Sequence, residues 1–357
     1  MTDVQSDVGA ASAAVEPTAP DGDENAADQA STSPVGDRER EIAARAQRIA
    51  QRSKPTRVVA ARVSIRLRLV ELWRARELFF FLVRKEIKVK YKNSALGFLW
   101  SMLNPALTLA VFYVLFTFFL PNGIPNFVIY MFAAMLVWNL FQTAVLTGTS
   151  TIVSNAAIVK KVAFPREILS LAAVGSAFMF FLFQSIVLLA FMIAFWHRPD
   201  WSALWLVIPA LVAITAFASA LAVFLSAVNV YLRDTQHLVE VMLLAWFWAI
   251  PGIYPFSGRV HDGLVKHTIF GIPGTHLIWL YFANPVSPVV MSFQRVFYNV
   301  TNAHSTKAPH AVIKVMATYG IHWYVAADLA VLGVSLVLLL GAMVVFGRLE
   351  GNFAEEL

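Results

Sequence analysis

Between Lys92 and Lys160 the chain runs for 67 residues without a single Asp, Glu, Lys, Arg or His. One membrane helix needs about 20 apolar residues, so this gap is long enough for two. It is interrupted once, at Pro121-Asn122-Gly123-Ile124-Pro125-Asn126, where Pro, Asn and Gly together signal a tight turn. Two membrane helices joined by a hairpin are the direct reading. The composition agrees: 58% of residues are hydrophobic and 14% are charged, too few charges to cover a water-facing surface.

Charge is also unevenly placed. Seventeen of the 28 Lys and Arg residues precede Asn93. A basic N-terminus invites a nucleic-acid reading, but this one runs straight into membrane spans. Cytoplasmic location beside anionic lipid accounts for it, and no nucleic-acid partner is expected. There is no cysteine, which excludes disulfides and thiol chemistry. Residues 1–36 are rich in Ala, Asp, Glu, Ser, Thr and Pro with no apolar core, and show no cleavable signal. Residues 1–57 therefore read as a disordered or weakly helical cytoplasmic tail. Residues 58–92 form an amphipathic segment: Phe79, Val83, Ile87 and Tyr91 recur at i, i+4, beside a cationic line of Arg84, Lys88 and Lys92. Such a helix lies in the membrane interface.

A six-span domain is expected over 93–348, with spans near 97–120, 127–150, 168–195, 203–230, 237–254 and 324–346. The loop at 121–126 has no cation, whereas 155–166 carries Lys160, Lys161 and Arg166, so the first faces out and the second in. Both termini, including a tail at 349–357, then lie in the cytoplasm. The stretch at 252–322 contains two short apolar pieces, 277–283 and 286–298, split by Asn284-Pro285. Each is too short to span, which predicts re-entrant helices on the outer side. The fold class is an all-α integral membrane protein.

An energy source is not found in this sequence. No G-x-x-x-x-G-K-[ST] run is present to cradle nucleotide phosphates. Glu240 and Asp328 fall near span ends, leaving no midplane carboxylate for ion coupling. The acids form no D-x-D or D-D-x-x-D pattern for Mg²⁺, and the outer histidines 261, 267, 276, 304 and 310 match no ligand spacing. The expectation is a transporter subunit that is not itself an enzyme and carries no metal or cofactor. Any ATP and Mg²⁺ would sit on a partner ATPase.

Residues 84–105, RKEIKVKYKNSALGFLWSMLNP, sharpen this. A basic amphipathic run followed by Tyr-Lys-x-Ser-x-Leu-Gly-x-Leu-Trp and an Asn-Pro in the first span resembles type-2 ABC exporter permeases, in particular those for O-antigen, teichoic acid and related surface polysaccharides. NAAIVKKVAFPREIL (155–169), YLRDTQHL (231–238) and YFANPVSPVVMSFQRVFYN (281–299) are similar to further family segments, in the same order. The resemblance implies a homodimer in a bacterial plasma membrane, two copies of a nucleotide-binding subunit, and a polyprenyl-pyrophosphate-linked polysaccharide as substrate. It also implies a cytoplasmic coupling helix between spans two and three.

On that reading Asn155, Ile158, Lys160, Lys161, Phe164 and Arg166 contact the ATPase, with Ile158 and Phe164 as apolar anchors. Positive-inside anchoring also explains the lysines. Arg84, Lys85 and Lys88 would receive the lipid pyrophosphate by charge-assisted contact; general contact with anionic lipid is the alternative. Trp100, Tyr113 and Phe116 are channel-facing aromatics for sugar rings, or ordinary belt and core residues.

Overall fold

The computed structural model describes Glu41, Ile42, Ala44 and Arg45, and residues 65–357 apart from 93, 95, 120–123, 262, 264–267, 270, 271 and 305–311. The chain divides into two units, Met1–Ala61 and Arg62–Leu357. In the first unit the four described residues are helical and exposed; the rest of the expected tail lies outside the described residues. The second unit is helical, with two short antiparallel hairpins.

Its elements in chain order begin with α1 (Ile65–Arg74) and α2 (Arg76–Tyr91), the interfacial pair. Next come α3 (Trp100–Val114), extended by a wide turn Leu115–Phe119, then α4 (Phe127–Ser154), the short α5 (Ala156–Lys161) and α6 (Glu167–Ala194). They are followed by α7 (Val207–Tyr231), entered through Trp201–Leu206, and α8 (Thr235–Phe247). The strands β1 (Thr268–Ile269) and β2 (Ile272–Pro273) precede α9 (Gly274–Phe282) and α10 (Val286–Phe297). A second hairpin, β3 (Asn302–His304) with β4 (Val312–Lys314), leads into α11 (Ile321–Leu349) and the terminal α12 (Phe353–Glu356).

Among the described residues five helices are long and apolar enough to cross a membrane: α3, α4, α6, α7 and α11, the first, fourth and fifth counted with their flanking turns. The stretch expected as a further span at 237–254 is helical only over the 13 residues of α8, about 20 Å, and then turns. The two short pieces expected as re-entrant are helical, as α9 and α10, and are broken at Asn284-Pro285. Asn284 holds that break: its side-chain oxygen accepts from Trp246 Nε1 (2.9 Å) and from the Val286 amide (3.1 Å).

α4 is the axis of the fold. In its most apolar window 83% of residues are buried, against 11% in α3. α6, α7 and α10 close around it. Small residues set the approach of α7, since a Cβ on Gly148 would fall 2.5 Å from the Ala222 Cβ. Gly175 of α6 likewise admits Phe79 and Val83 of α2. The apolar stripe read from the sequence as lipid-facing is thus partly spent on docking α2 against α6, while Phe80 and Phe81 point outward.

Each end has its own core. One joins Val83, Ile152, Val159, Ile168, Val230, Phe346 and Phe353, so the ends of α4, α7 and α11 and the start of α6 meet there. The other joins Ala203, Leu206, Phe256, Val296 and Tyr324, bringing together the starts of α7 and α11. α7 and α11 therefore run parallel. At this second end Asp200 accepts from Arg295 Nη1 (2.7 Å) and from the Ser202 hydroxyl (2.6 Å). The hydrogen bonds from Ser202 and Arg295 hold its carboxyl below the usual range. Asp328, fully buried, accepts from Ser292 (2.9 Å) where α10 meets α11.

At the first end Arg68 of α1 donates to Glu167 at the start of α6 and to Glu350 just past α11. Gly347 leaves room for the guanidinium: a Cβ there would lie 2.5 Å from it. The Glu167 side chain is only 3% exposed and that of Glu350 28%, so the Glu167 arm is the desolvated one.

Two outcomes follow from this packing. Arg68→Met strands a buried carboxylate and should cost about 3–5 kcal/mol, while Glu350→Gln should cost clearly less. Thermal unfolding of the detergent-solubilised chain measures both, and equal losses would contradict the ranking. Gly148→Val forces α4 and α7 apart and should cost about 1–3 kcal/mol by the same measurement, whereas Gly333→Ala, with open space around it, should be near neutral.

Candidate functional site

The segment 155–166 is built to be held at one side and offered at the other. α5 is only six residues long, a length that is marginal without tertiary support. Val159 supplies that support by burying into the end core, at 1% exposure. Ile158, Lys160, Lys161 and Val162 face out from the same short stretch. The result is a small apolar patch of Ile158 and Val162 flanked by two cations.

Two of the expected contact residues point elsewhere. Phe164 packs against the end core and lines a cleft with Arg68 and Glu71. Arg166 donates to the Glu350 carbonyl (2.6 Å) and stacks its guanidinium over the Phe353 ring at 5.8 Å. Tyr231, at the end of α7, donates to the Leu349 carbonyl (2.7 Å). These bonds tie the start of α6, the end of α7 and the C-terminal turn into one block.

Asn155 is brought against a residue expected to do something different. Lys85 Nζ donates to Asn155 Oδ1 at 2.6 Å, across 70 residues of sequence. The interfacial helix α2 is thereby fastened to the start of α5. Lys85 also lies 3.7 Å from Glu86, so its charge is partly balanced. Arg84 and Lys88 are exposed on the second half of α2. Of the three cations grouped for lipid contact, Arg84 and Lys88 remain open.

The expected channel aromatics are spread along α3. Trp100 is exposed and lines a cleft between α3, α4 and α6. Tyr113 is exposed and lies 6.3 Å from the Phe195 ring. Phe116 is half-buried against Phe127, ring centroids 4.9 Å apart. Phe116 therefore packs within the protein, leaving Trp100 and Tyr113 available on the face of α3.

Sequence reasoning missed Arg68, Glu167, Glu350 and Lys90. Arg68 was one cation in a basic run, and nothing local marks it as the one that turns inward. Lys90 Nζ sits 4.0 Å from the Phe180 ring centroid, where burial lowers its pKa. Its place after Lys88 at i+2 gave no hint of that partner. Among the described residues no group of three His, Asp or Glu is placed to hold a metal ion.

Residues 77–298, more than half of the chain, match the ABC-2 type transporter family. The chain is 34% identical over 233 residues to the O-antigen export system permease protein RfbA of Myxococcus xanthus, covering 65% of this chain and 85% of that protein. It is 26% identical over 223 residues to the protein of the same name from Klebsiella pneumoniae, covering 62% and 81% respectively. Among the described residues the matched region contains most of α2, four of the five membrane-length helices, α5, α9 and α10. The chain belongs to the ABC-2 type transporter family and is a multi-pass transmembrane subunit.

Proposed function

We propose that this chain is the membrane subunit of an ATP-driven exporter that moves polyprenyl-pyrophosphate-linked polysaccharide from the cytoplasmic to the outer side of a bacterial plasma membrane. The observation that carries the reading is the family match over 77–298, together with relatives that bear the name of O-antigen export permeases over more than four-fifths of their length. The chain works as a homodimer with two copies of a nucleotide-binding subunit, which bear the ATP and Mg²⁺.

Six crossings suit the placement of the two end cores. α7 and α11 both start at one end and finish at the other, so the chain must return between 231 and 321. α8 with the turn after it makes that passage, and α9 and α10 fill the depth that its 13 residues leave open. Lys160 and Lys161 put the α5 end in the cytoplasm by the positive-inside rule, and the termini with it. α3 and α8 present broad exposed apolar faces, including Val111, Tyr113, Val241 and Leu244, as do α6 and α11. Faces of that kind suit a second copy enclosing a polymer path.

α5 is the coupling element. Ile158 and Val162 enter an apolar cleft of the ATPase, and Lys160 and Lys161 meet acidic groups at its rim. Arg166 and Phe164 keep α5 rigid against the body rather than touching the partner. Movement of α5 passes to the interfacial helix through Asn155 and Lys85.

Two measurements test this. Ile158→Asp with Val162→Asp should leave the chain monodisperse in detergent yet reduce co-purification of the ATPase subunit by about tenfold or more, the scale of a small interface hot spot. Undiminished co-purification would remove α5 as the docking element. For the substrate, proteoliposomes holding both subunits should hydrolyse ATP severalfold faster with the lipid-linked polysaccharide than without it. Stimulation instead by simple lipids or drugs would reassign the substrate class.

A further inference from the structure

A cleft of about 570 Å³ opens between α3, α4 and α6, within the range of small-molecule sites. Its chemistry is unusual for a membrane-facing surface. Lys90 and Trp100 stand at one end, with Asn104 beside them on α3. Further in, Asn139 of α4 donates its amide to Gln184 of α6 at 3.1 Å, one turn from Thr143. Polar side chains at membrane depth are costly and mark ligand pathways.

The charge balance of this cleft is one-sided. Among the described residues Lys90 is the one ionisable residue lining it, and no carboxylate does. Lys90 makes no ion pair among the described residues; what it touches is the face of Phe180. Desolvation lowers its pKa without an acid to offset it, so the protonated form gains from any anion that enters. Gln184 lies one turn of α6 beyond Phe180, a rise of about 6 Å. A phosphate held at Lys90 therefore places the next group of the same molecule at the Asn139–Gln184 amides. Those amides offer donors and acceptors for hydroxyls.

We propose that this cleft is a binding site for the phosphate-bearing headgroup of a lipid, with Lys90 taking the phosphate and Asn139 and Gln184 taking the hydroxyl-bearing group attached to it. A sugar pyrophosphate on a polyprenol and the glycerol phosphate of a bulk phospholipid share this chemistry. The sugar-bearing source rests on the export function proposed above. Lys90 is exposed like Arg84 and Lys88, but it alone of the three lines the cleft and stands over Phe180, while Lys85 is committed to Asn155. Trp100 at the mouth presents a ring face to the first sugar.

The test uses the full chain in nanodiscs of dioleoyl phosphatidylcholine and measures saturable binding of radiolabelled farnesyl-pyrophosphoryl-N-acetylglucosamine. Lys90→Gln should weaken binding about tenfold or more, and Lys90→Arg should stay within about threefold of the natural protein, since a point charge is what the phosphate needs. Gln184→Leu should weaken the sugar-bearing probe about fivefold and leave farnesyl pyrophosphate unchanged, because only the former loses a hydrogen-bond partner. Unaltered affinity in Lys90→Gln overturns the site. Equal competition by dioleoyl phosphatidylglycerol, with no effect of Gln184→Leu, keeps the phosphate site and overturns the sugar assignment. Gain of ATP turnover with lipid-linked polysaccharide in the unsubstituted complex is read separately, so loss of this site and loss of the export reading are distinguishable.

Discussion

The body depends on one uncharged helix with nowhere to go but inside. α4 runs 28 residues without an Asp, Glu, Lys, Arg or His, and 20 of them are buried. A membrane gives no hydrophobic drive for helices to associate, because lipid tails are as apolar as Leu. What holds α6, α7 and α10 to α4 is close packing, made possible by Gly148 against Ala222 and by rings such as Phe141 stacked on Phe217 at 5.5 Å. Polar groups are placed where that packing would otherwise leave gaps. Tyr130 near the start of α4 reaches the carbonyls of Pro251 and Tyr254, at 3.0 and 2.9 Å. Gln294 donates to the same Pro251 carbonyl at 2.7 Å, so these two carbonyls of the irregular backbone after α8 are satisfied from inside the protein.

With the central helix fixed, the two ends are free to differ. The end built on Ala203 and Tyr324 is closed by aromatic packing and the Asp200–Arg295 pair. The opposite end is held by ion pairs and carbonyl bonds from Arg68, Arg166 and Tyr231, all converging on the turn after α11. Buried ion pairs are weak sources of net stability but fix geometry strongly once made. If the ATPase docks at this end, as proposed, these bonds let α1, the start of α6 and the C-terminal turn move as one piece.

Much of this was legible in the residues. The charge gap at 93–159 marked α3 and α4, Asn284-Pro285 marked the break between α9 and α10, and Lys160 with Lys161 marked α5. Rotation of helices was not. Periodicity told that Phe79 and Val83 share a face of α2, but an amphipathic face reads alike whether lipid or protein covers it, and only Gly175 on a helix far along the chain decides the matter. Phe164 and Arg166 looked like surface residues because their loop is short and basic. The inward partners of Arg166, Phe353 and Glu350, are more than 180 residues away, and no local pattern announces such a contact. α8 was read as a full span since apolar residues continue to 254, yet the helix ends at Phe247 where Trp246 is drawn into bonding Asn284.

The interfacial helix joins these parts. Lys85 and Lys90 lie five residues apart on α2, a rise of about 7.5 Å. One is bonded to Asn155 at the start of α5, and the other stands over Phe180 at the mouth of the polar cleft. A rigid helix cannot shift at Lys85 without shifting at Lys90. If α5 is where the ATPase pushes, as proposed, α2 can carry the push to the cleft through the Lys85–Asn155 hydrogen bond and the core that Val159 shares with Leu82 and Val83. Gly175 lets Phe79 and Val83 pack directly on the α6 backbone. Coupling of this kind requires α2 to have two resting positions relative to α6, and the loosely packed α3, joined to the end of α2 by a short loop, is the helix that would follow it.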